Sequence, residues 1–238
     1  MSIFSGYSNL KDYYKKSPIS SILIFVLLFI TIAQVFAGHY SEQSLINFGA
    51  LRADLVADGD YYRLFTVMFL HGSIDHFFSN AFFGLFILGG TLERLIKTWR
   101  YLVIYFIGGL GASLTIILTS TELTVGASGA IFSALGALLY LTIYRSDLIK
   151  KPERMSIWAL IVIEIIFTLT AANISIAGHL GGLASGFLLS YIVISRKQIE
   201  AGIIVESHPF EQTIQNIPDF DIEDYLDDEK EDETKYIQ

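Results

Sequence analysis

Gly126-Ala127-Ser128-Gly129-Ala130-Ile131-Phe132-Ser133-Ala134-Leu135-Gly136-Ala137-Leu138-Leu139-Tyr140 is the stretch on which the fold turns. It opens on glycines and a lone serine, then runs without a charge to about Tyr144. Crossing a hydrocarbon layer about 30 Å thick takes roughly 20 mostly apolar residues, so a run of this kind reads as a membrane helix. A second run begins at Gly178-His179-Leu180-Gly181-Gly182 and follows the same plan, with a histidine at its mouth. The whole chain agrees: 238 residues are 53% hydrophobic and only 17% charged, with a mean hydropathy of +0.52. Soluble domains carry about 25% charged residues, so the composition points to a bilayer.

The formal net charge of -8 conceals two parts. From Glu200 to Gln238 there are 13 acidic residues against Lys230 and Lys235, so the apolar body is mildly basic. Residues 198–238 read as an acidic, disordered cytoplasmic tail; Phe210, Phe220 and Leu226 could form short elements for an unidentified cytoplasmic partner. There are no cysteines, which excludes disulfides, thiolate chemistry and zinc-thiolate sites. Basic-patch nucleic-acid signatures and phosphate-cradling glycine loops are absent, so no nucleic acid is expected.

Apolar runs and their punctuation predict six spans, near 18–38, 76–92, 101–120, 127–144, 155–172 and 178–195. Residues 1–17 form a short N-terminal arm, with too few apolar residues for a substantial core, and 18–197 a single six-helix domain. The first run follows Lys11, Lys15 and Lys16 as a signal peptide would. It has the length of a full span, and His39-Tyr40-Ser41 lacks a small-residue cleavage pattern, so it reads as a retained helix. The link from 39 to 75 mixes Leu45, Phe48, Leu51 and Phe65 with charges and reads as a partly immersed loop. Basic residues alternate between connections. Arg94, Lys97 and Arg100 follow span two, Arg145, Lys150, Lys151 and Arg154 follow span four, and Arg196 and Lys197 follow span six. Ser120–Gly126 and 173–177 carry none, which places both termini in the cytoplasm. Spans two, four and six then enter from outside, so His76, Asn80, Ser128 and His179 share one shallow extracytoplasmic depth.

A serine hydroxyl becomes a nucleophile when a neighbouring base takes its proton, and histidine is the usual base. No Asp or Glu accompanies His179 in its span, so a Ser–His dyad is the simpler proposal. The positive end of a helix dipole at Ser128 would favour negative charge developing there, and Gly126 and Gly129 permit close backbone approach. A packing explanation competes for the same residues. Small residues four apart are how membrane helices approach one another, and Gly129, Ser133 and Ala137 fit it, as do Gly178, Gly182 and Gly186. A close α-helical contact through these series would also bring span six against span four. His76 and Asn80 lie four apart, on one helical face, and can either donate to an oxyanion or join helices as polar glue. Glu164, in the middle of span five, should face the bundle, paired or protonated, in a structural rather than a catalytic role.

Five motifs in order then carry a family resemblance: Tyr62-Arg63-Leu64-Phe65-Thr66, His71-x4-His76-x3-Asn80, Gly90-x2-Glu93-Arg94, Gly126-Ala127-Ser128-Gly129-Ala130, and His179-Leu180-Gly181-Gly182-x3-Gly186. Through them the chain resembles the rhomboid intramembrane serine proteases, over about residues 60 to 190. The resemblance implies an all-α, six-transmembrane-helix rhomboid bundle with Ser128 as nucleophile and His179 as general base. It implies His76, Asn80 and the Ser128 N–H as oxyanion donors, with Gly126 and Phe132 as candidates for the substrate site. It also implies that His39–Arg63 is an external loop in the outer leaflet and that Arg63 and Glu93 are structural. His71 matches the first histidine of its motif. Many relatives carry Trp-Arg where this chain has Tyr62-Arg63, and often a tyrosine stacking on the histidine where it has Phe132.

The function expected is therefore a serine endopeptidase in a bacterial plasma membrane, cutting transmembrane proteins near their extracytoplasmic end through an acyl-enzyme, with no metal or organic cofactor. Two rival classes differ in what they require. A non-catalytic client-binding protein has no need of the serine and histidine. A transporter would continue its polar groups toward the cytoplasm, and apart from Glu164 they stop; inverted repeats are not apparent either.

Overall fold

The structure is a computed structural model, which describes residues 6–172 and 174–194. The acidic tail expected at 198–238 lies outside the described residues. Among the described residues the chain is helical, with one isolated antiparallel bridge pairing Leu51 with Thr124.

The N-terminal arm contributes more than expected. Asn9 caps a short helix, α1 (Leu10–Lys16), by accepting from the Asp12 N–H. This helix buries Tyr13, which stacks on Phe86 at 4.4 Å. Pro18 occupies the first turn of α2 (Pro18–Phe36), where its missing N–H costs no hydrogen bond. The orphan N–H groups of Ile19 and Ser20 donate to the buried Glu93 carboxylate at 2.9 and 2.8 Å. Glu93 thus holds the start of α2 from another element, the structural role expected of it. Phe25, Phe29 and Phe36 of α2 point away from the body.

The link from 39 to 75 folds into α3 (Glu42–Phe48), α4 (Ala53–Ala57), α5 (Arg63–Thr66) and a 3-10 turn, Val67–Phe69. Gly49, with φ +96°, ends α3 in the left-handed region that side chains resist. Arg63 is buried beneath this loop. It donates from Nη1 to the carbonyls of Ile46 and Ala50 at 2.8 and 3.1 Å and pairs with Asp60 at 2.8 Å. Its guanidinium lies 5.1 Å from the centre of the Tyr62 ring, so tyrosine supplies the aromatic face in place of tryptophan.

Span two is realised as one helical run, but not as one α-helix. Ser73 caps α6 (Ile74–Phe78), which passes into an i→i+5 segment, Ser79–Gly89, and then α7 (Gly90–Ile96). Most π-segments are single turns, and nothing in the residue pattern signals this long one. Tyr13 Oη donates to the Phe86 carbonyl at 3.1 Å, and Ser17 Oγ to the Gly90 carbonyl at 2.9 Å. A left-handed Lys97 (φ +75°) breaks the run before α8 (Thr98–Thr119).

The helix opened by Ser128, α9 (Ser128–Tyr144), is the most enclosed, with Ala130 to Leu138 all buried. It packs against α8, the Ser79–Gly89 segment, α10 (Lys151–Thr170) and α11 (Ile176–Val193). The α9–α11 contact is backbone to backbone: a Cβ on Gly182 would overlap the Gly129 carbonyl, and one on Gly186 the Ser133 carbonyl. The close-packing face expected of Gly182 and Gly186 is therefore present, while Gly178 packs on Ile116 of α8.

By length and composition α2, α8 and α11 can each cross a membrane, and α9 is apolar but shorter. The remaining two runs carry charges, Asp75, Glu93 and Arg94 in one and Lys151, Glu153 and Arg154 at the start of the other.

Candidate active site

Ser128 is the first residue of α9, after Ala127 in a helical conformation that offers no side-chain cap. The N–H groups of the first turn, from Ser128 to Ala130, therefore have no intrahelical acceptor and no cap. They form a set of donors, with the positive end of the helix dipole, beside the hydroxyl. The preceding Gly126 has φ +140°, and its N–H donates to the Val67 carbonyl at 3.0 Å. A Cβ at this position would lie 3.0 Å from His76 Cε1 and Nε2 and 3.4 Å from Ser128 Oγ. Glycine is thus required both by the backbone and by the space between His76 and Ser128.

His179 sits in the first turns of α11, which Ser175 caps by accepting from the Gly178 N–H at 3.1 Å. The histidine is buried, only 6% exposed. Phe132 lies one turn along α9 from Ser128, and its ring stacks on the imidazole at 3.9 Å with the planes 21° apart. The face of the ring is thereby fixed, and the edge is left to hydrogen bonds. Nδ1 lies 2.8 Å from Oγ1 of the buried Thr168 on α10. The sequence does not signal Thr168: no carboxylate accompanies His179 in its own helix, and the partner is a hydroxyl from the preceding one.

Ser128 and His179 border one cavity, together with Val67, Met68, Gly126 and Ser175. Its space for water centres is ≈ 20 Å³, enough for about one molecule. No hydrogen bond joins Ser128 Oγ to His179 among the described residues; such contacts often close only around a substrate.

His76 and Asn80 stand on the run that follows Ser73. The His76 N–H donates to Ser73 Oγ at 3.1 Å, and its ring borders Gly126. Asn80 is buried, and among the described residues its Nδ2 has no hydrogen-bond partner. A buried amide without a partner is costly, and Nδ2 is left available to a further acceptor. His71 is different in kind. It is fully buried, its backbone is held by the Gln34 side chain through bonds of 3.0 and 3.2 Å, and its Nδ1 lies 3.3 Å from Thr31 Oγ1. Its ring meets that of His76 edge to face at 5.2 Å, so His71, held by Thr31 and Gln34 of α2, buttresses His76.

Glu164 is half-buried, and among the described residues its carboxyl takes no hydrogen bond. It lies on the face of α10 marked by the buried Ile157, Ile161 and Thr168, toward the bundle as its cost in lipid demands, one turn from Thr168.

The loop is tied to the site from several directions. Leu51 and Thr124 exchange backbone bonds of 2.9 and 2.8 Å, Ser113 Oγ donates to the Leu64 carbonyl at 2.8 Å, and Leu45, Ala50 and Leu70 pack against Leu123 and Val125.

Residues 58–196 match the family model described as Rhomboid domain. Rhomboid protease GluP of Bacillus subtilis (strain 168) is 35% identical over 166 residues, covering 70% of this chain and 32% of that protein. YdcA of the same strain is 33% identical over 147 residues, 60% of this chain and 72% of YdcA. RHOMBOID-like protein 5 of Arabidopsis thaliana is 33% identical over 166 residues, 66% of this chain and 52% of that protein. The chain thus spans about a third of the length of GluP and about half that of the plant relative. With a match that runs from the loop ahead of α5 to the end of α11, and apolar helices able to cross a membrane, this integral membrane protein belongs to the rhomboid family.

Proposed function

We propose that the chain is an intramembrane serine endopeptidase that acts on transmembrane proteins within the bilayer. The observation that carries this reading is the wall shared by Ser128 and His179, with uncapped α9 N–H groups beside the hydroxyl. His179 Nε2 accepts the Ser128 proton as Oγ bonds to the scissile carbonyl carbon. The oxyanion is held by the Ser128 N–H, Asn80 Nδ2 and His76. The imidazolium gives its proton to the leaving amine as the C–N bond breaks. Water then attacks the acyl-enzyme, with His179 again as base. Gly126 and Phe132 border the position of the substrate.

Six helical runs cross the membrane in this reading: α2, the Ile74–Ile96 run, α8, α9, α10 and α11. Residues 18–197 form the protease domain, and both termini are cytoplasmic, as the basic connections support. The membrane is a bacterial plasma membrane, and the site opens to the extracytoplasmic side, where substrates are cut near that end of their spans. At 17 residues α9 is roughly 25 Å long, short of a hydrocarbon layer of about 30 Å. That supports a serine recessed below the outer surface.

Purified wild type should cleave a transmembrane reporter and take up a fluorophosphonate at Ser128, while Ser128→Ala and His179→Ala should lose cleavage. Undiminished cleavage by Ser128→Ala would reject the mechanism; an inert, unlabelled wild type would favour a client-binding role.

A further inference from the structure

We propose that Thr168 is a positioning residue for the base, an uncharged third group behind the Ser–His pair. This rests on reading His179 as the general base. A neutral imidazole carries its proton on one nitrogen only, and the hydrogen bond at one nitrogen sets the state of the other. For Nε2 to take the proton of Ser128, Nδ1 must carry the hydrogen. The sole acceptor at Nδ1 among the described residues is Thr168 Oγ1, at 2.8 Å, within the range of a well-made bond.

The fold aims Thr168 at that nitrogen. Along α10 the buried positions are Ile157, Ile161 and Thr168, while Val162, Ile163, Ile166, Phe167 and Leu169 are exposed. Thr168 is therefore the fully buried polar member of this contact stripe, 1% exposed and bonded to His179, one turn beyond the half-buried Glu164. Phe132 fixes the plane of the ring by stacking, and Thr168 fixes its rotation within that plane. When the base takes a proton, the same bond becomes charge-assisted and stronger, so the interaction gains strength as the reaction proceeds. A hydroxyl needs no buried counter-charge, unlike a carboxylate, whose desolvation in this setting would be costly.

A bond that only joined α10 to α11 would affect stability alone, and the test separates the two roles. Thr168→Val keeps the shape and removes the acceptor; Thr168→Ser keeps the acceptor. With full-length protein in detergent and a transmembrane reporter, Thr168→Val should lose roughly 10-fold or more in kcat with KM within about twofold of wild type. Thr168→Ser should recover most of that loss. ¹⁵N-histidine NMR, with His179 assigned by difference against His179→Asn, should show the Nδ1–H tautomer in wild type and Thr168→Ser and a mixture in Thr168→Val. A Thr168→Val protein with wild-type kcat overturns the proposal, as does a wild-type His179 in the Nε2–H tautomer, which needs no variant to fold. Failure of the wild type to cleave reporter or to take up fluorophosphonate overturns the reading of the site itself.

Discussion

At the scale of single residues, the two proposed oxyanion donors differ in how they are engaged. His76 borders Gly126 and is anchored through its N–H to Ser73, whereas Asn80 presents a buried amide with no partner among the described residues. Asn80→Ala should therefore lower kcat by roughly 10²-fold, as loss of one oxyanion donor does, without loss of stability. Its melting temperature should equal or exceed that of wild type, because the variant removes an unsatisfied buried donor. Steady-state cleavage and thermal unfolding of the same preparation check both halves. A strongly lowered melting temperature would instead assign Asn80 to the helix contact that competed with the oxyanion reading. Phe132 keeps the ring contact despite a departure from the family pattern. Its ring stacks on His179 as a tyrosine would, and only the hydroxyl is missing.

At the scale of elements, the meeting of α9 and α11 is set by glycine. A Cβ on Gly186 would overlap the Ser133 carbonyl, which belongs to backbone and cannot swing aside. Gly186→Val should force the helices apart at a cost of about 1–3 kcal/mol, the range for overpacked sites. Because Ser128 and His179 ride on these two helices, cleavage should fall more steeply than stability. Fluorophosphonate labelling and thermal unfolding, compared with the lipid-facing control Leu188→Val, check this. The packing explanation of the small-residue series is compatible with the proposed catalysis: the contact that joins the helices also brings their mouths to one cavity. The Ser79–Gly89 segment is the counterexample. A helix was legible there, but its wider hydrogen-bond ladder was not. The Tyr13 hydroxyl, far away in sequence, reaches its Phe86 carbonyl, and Ser17 reaches that of Gly90 just beyond it.

At the scale of the whole molecule, the loop between α2 and α6 is held by the buried cation of Arg63. Arg63 gathers the carbonyls of Ile46 and Ala50 and the Asp60 carboxylate, and the loop then joins the connection ahead of Ser128 through Leu51 and Thr124. Arg63→Met would leave two carbonyls without their donor. It should destabilise the protein by about 2–4 kcal/mol and open residues 42–66 to limited proteolysis, while the Ser128 hydroxyl itself is unaltered. A protein with wild-type melting temperature and protease resistance would show that other contacts suffice to hold the loop.

The chain by itself determined the helical, membrane class, the approximate limits of the long helices and the residues worth examining. Apolar runs, the positions of Lys and Arg, and polar residues at helix mouths are all local properties, written in consecutive residues. It also pointed to the close approach of α9 and α11, because glycines four apart record the absence of side chains directly. What only tertiary structure decided are the partners that arrive from elsewhere: Thr168 for His179, Glu93 for the start of α2, Gln34 for His71 and Tyr13 against Phe86. A threonine in an apolar helix reads the same whether it faces lipid or a buried histidine. Its role is set by the rotation of α10 against α11, and that depends on packing across the bundle, which no run of neighbouring residues encodes.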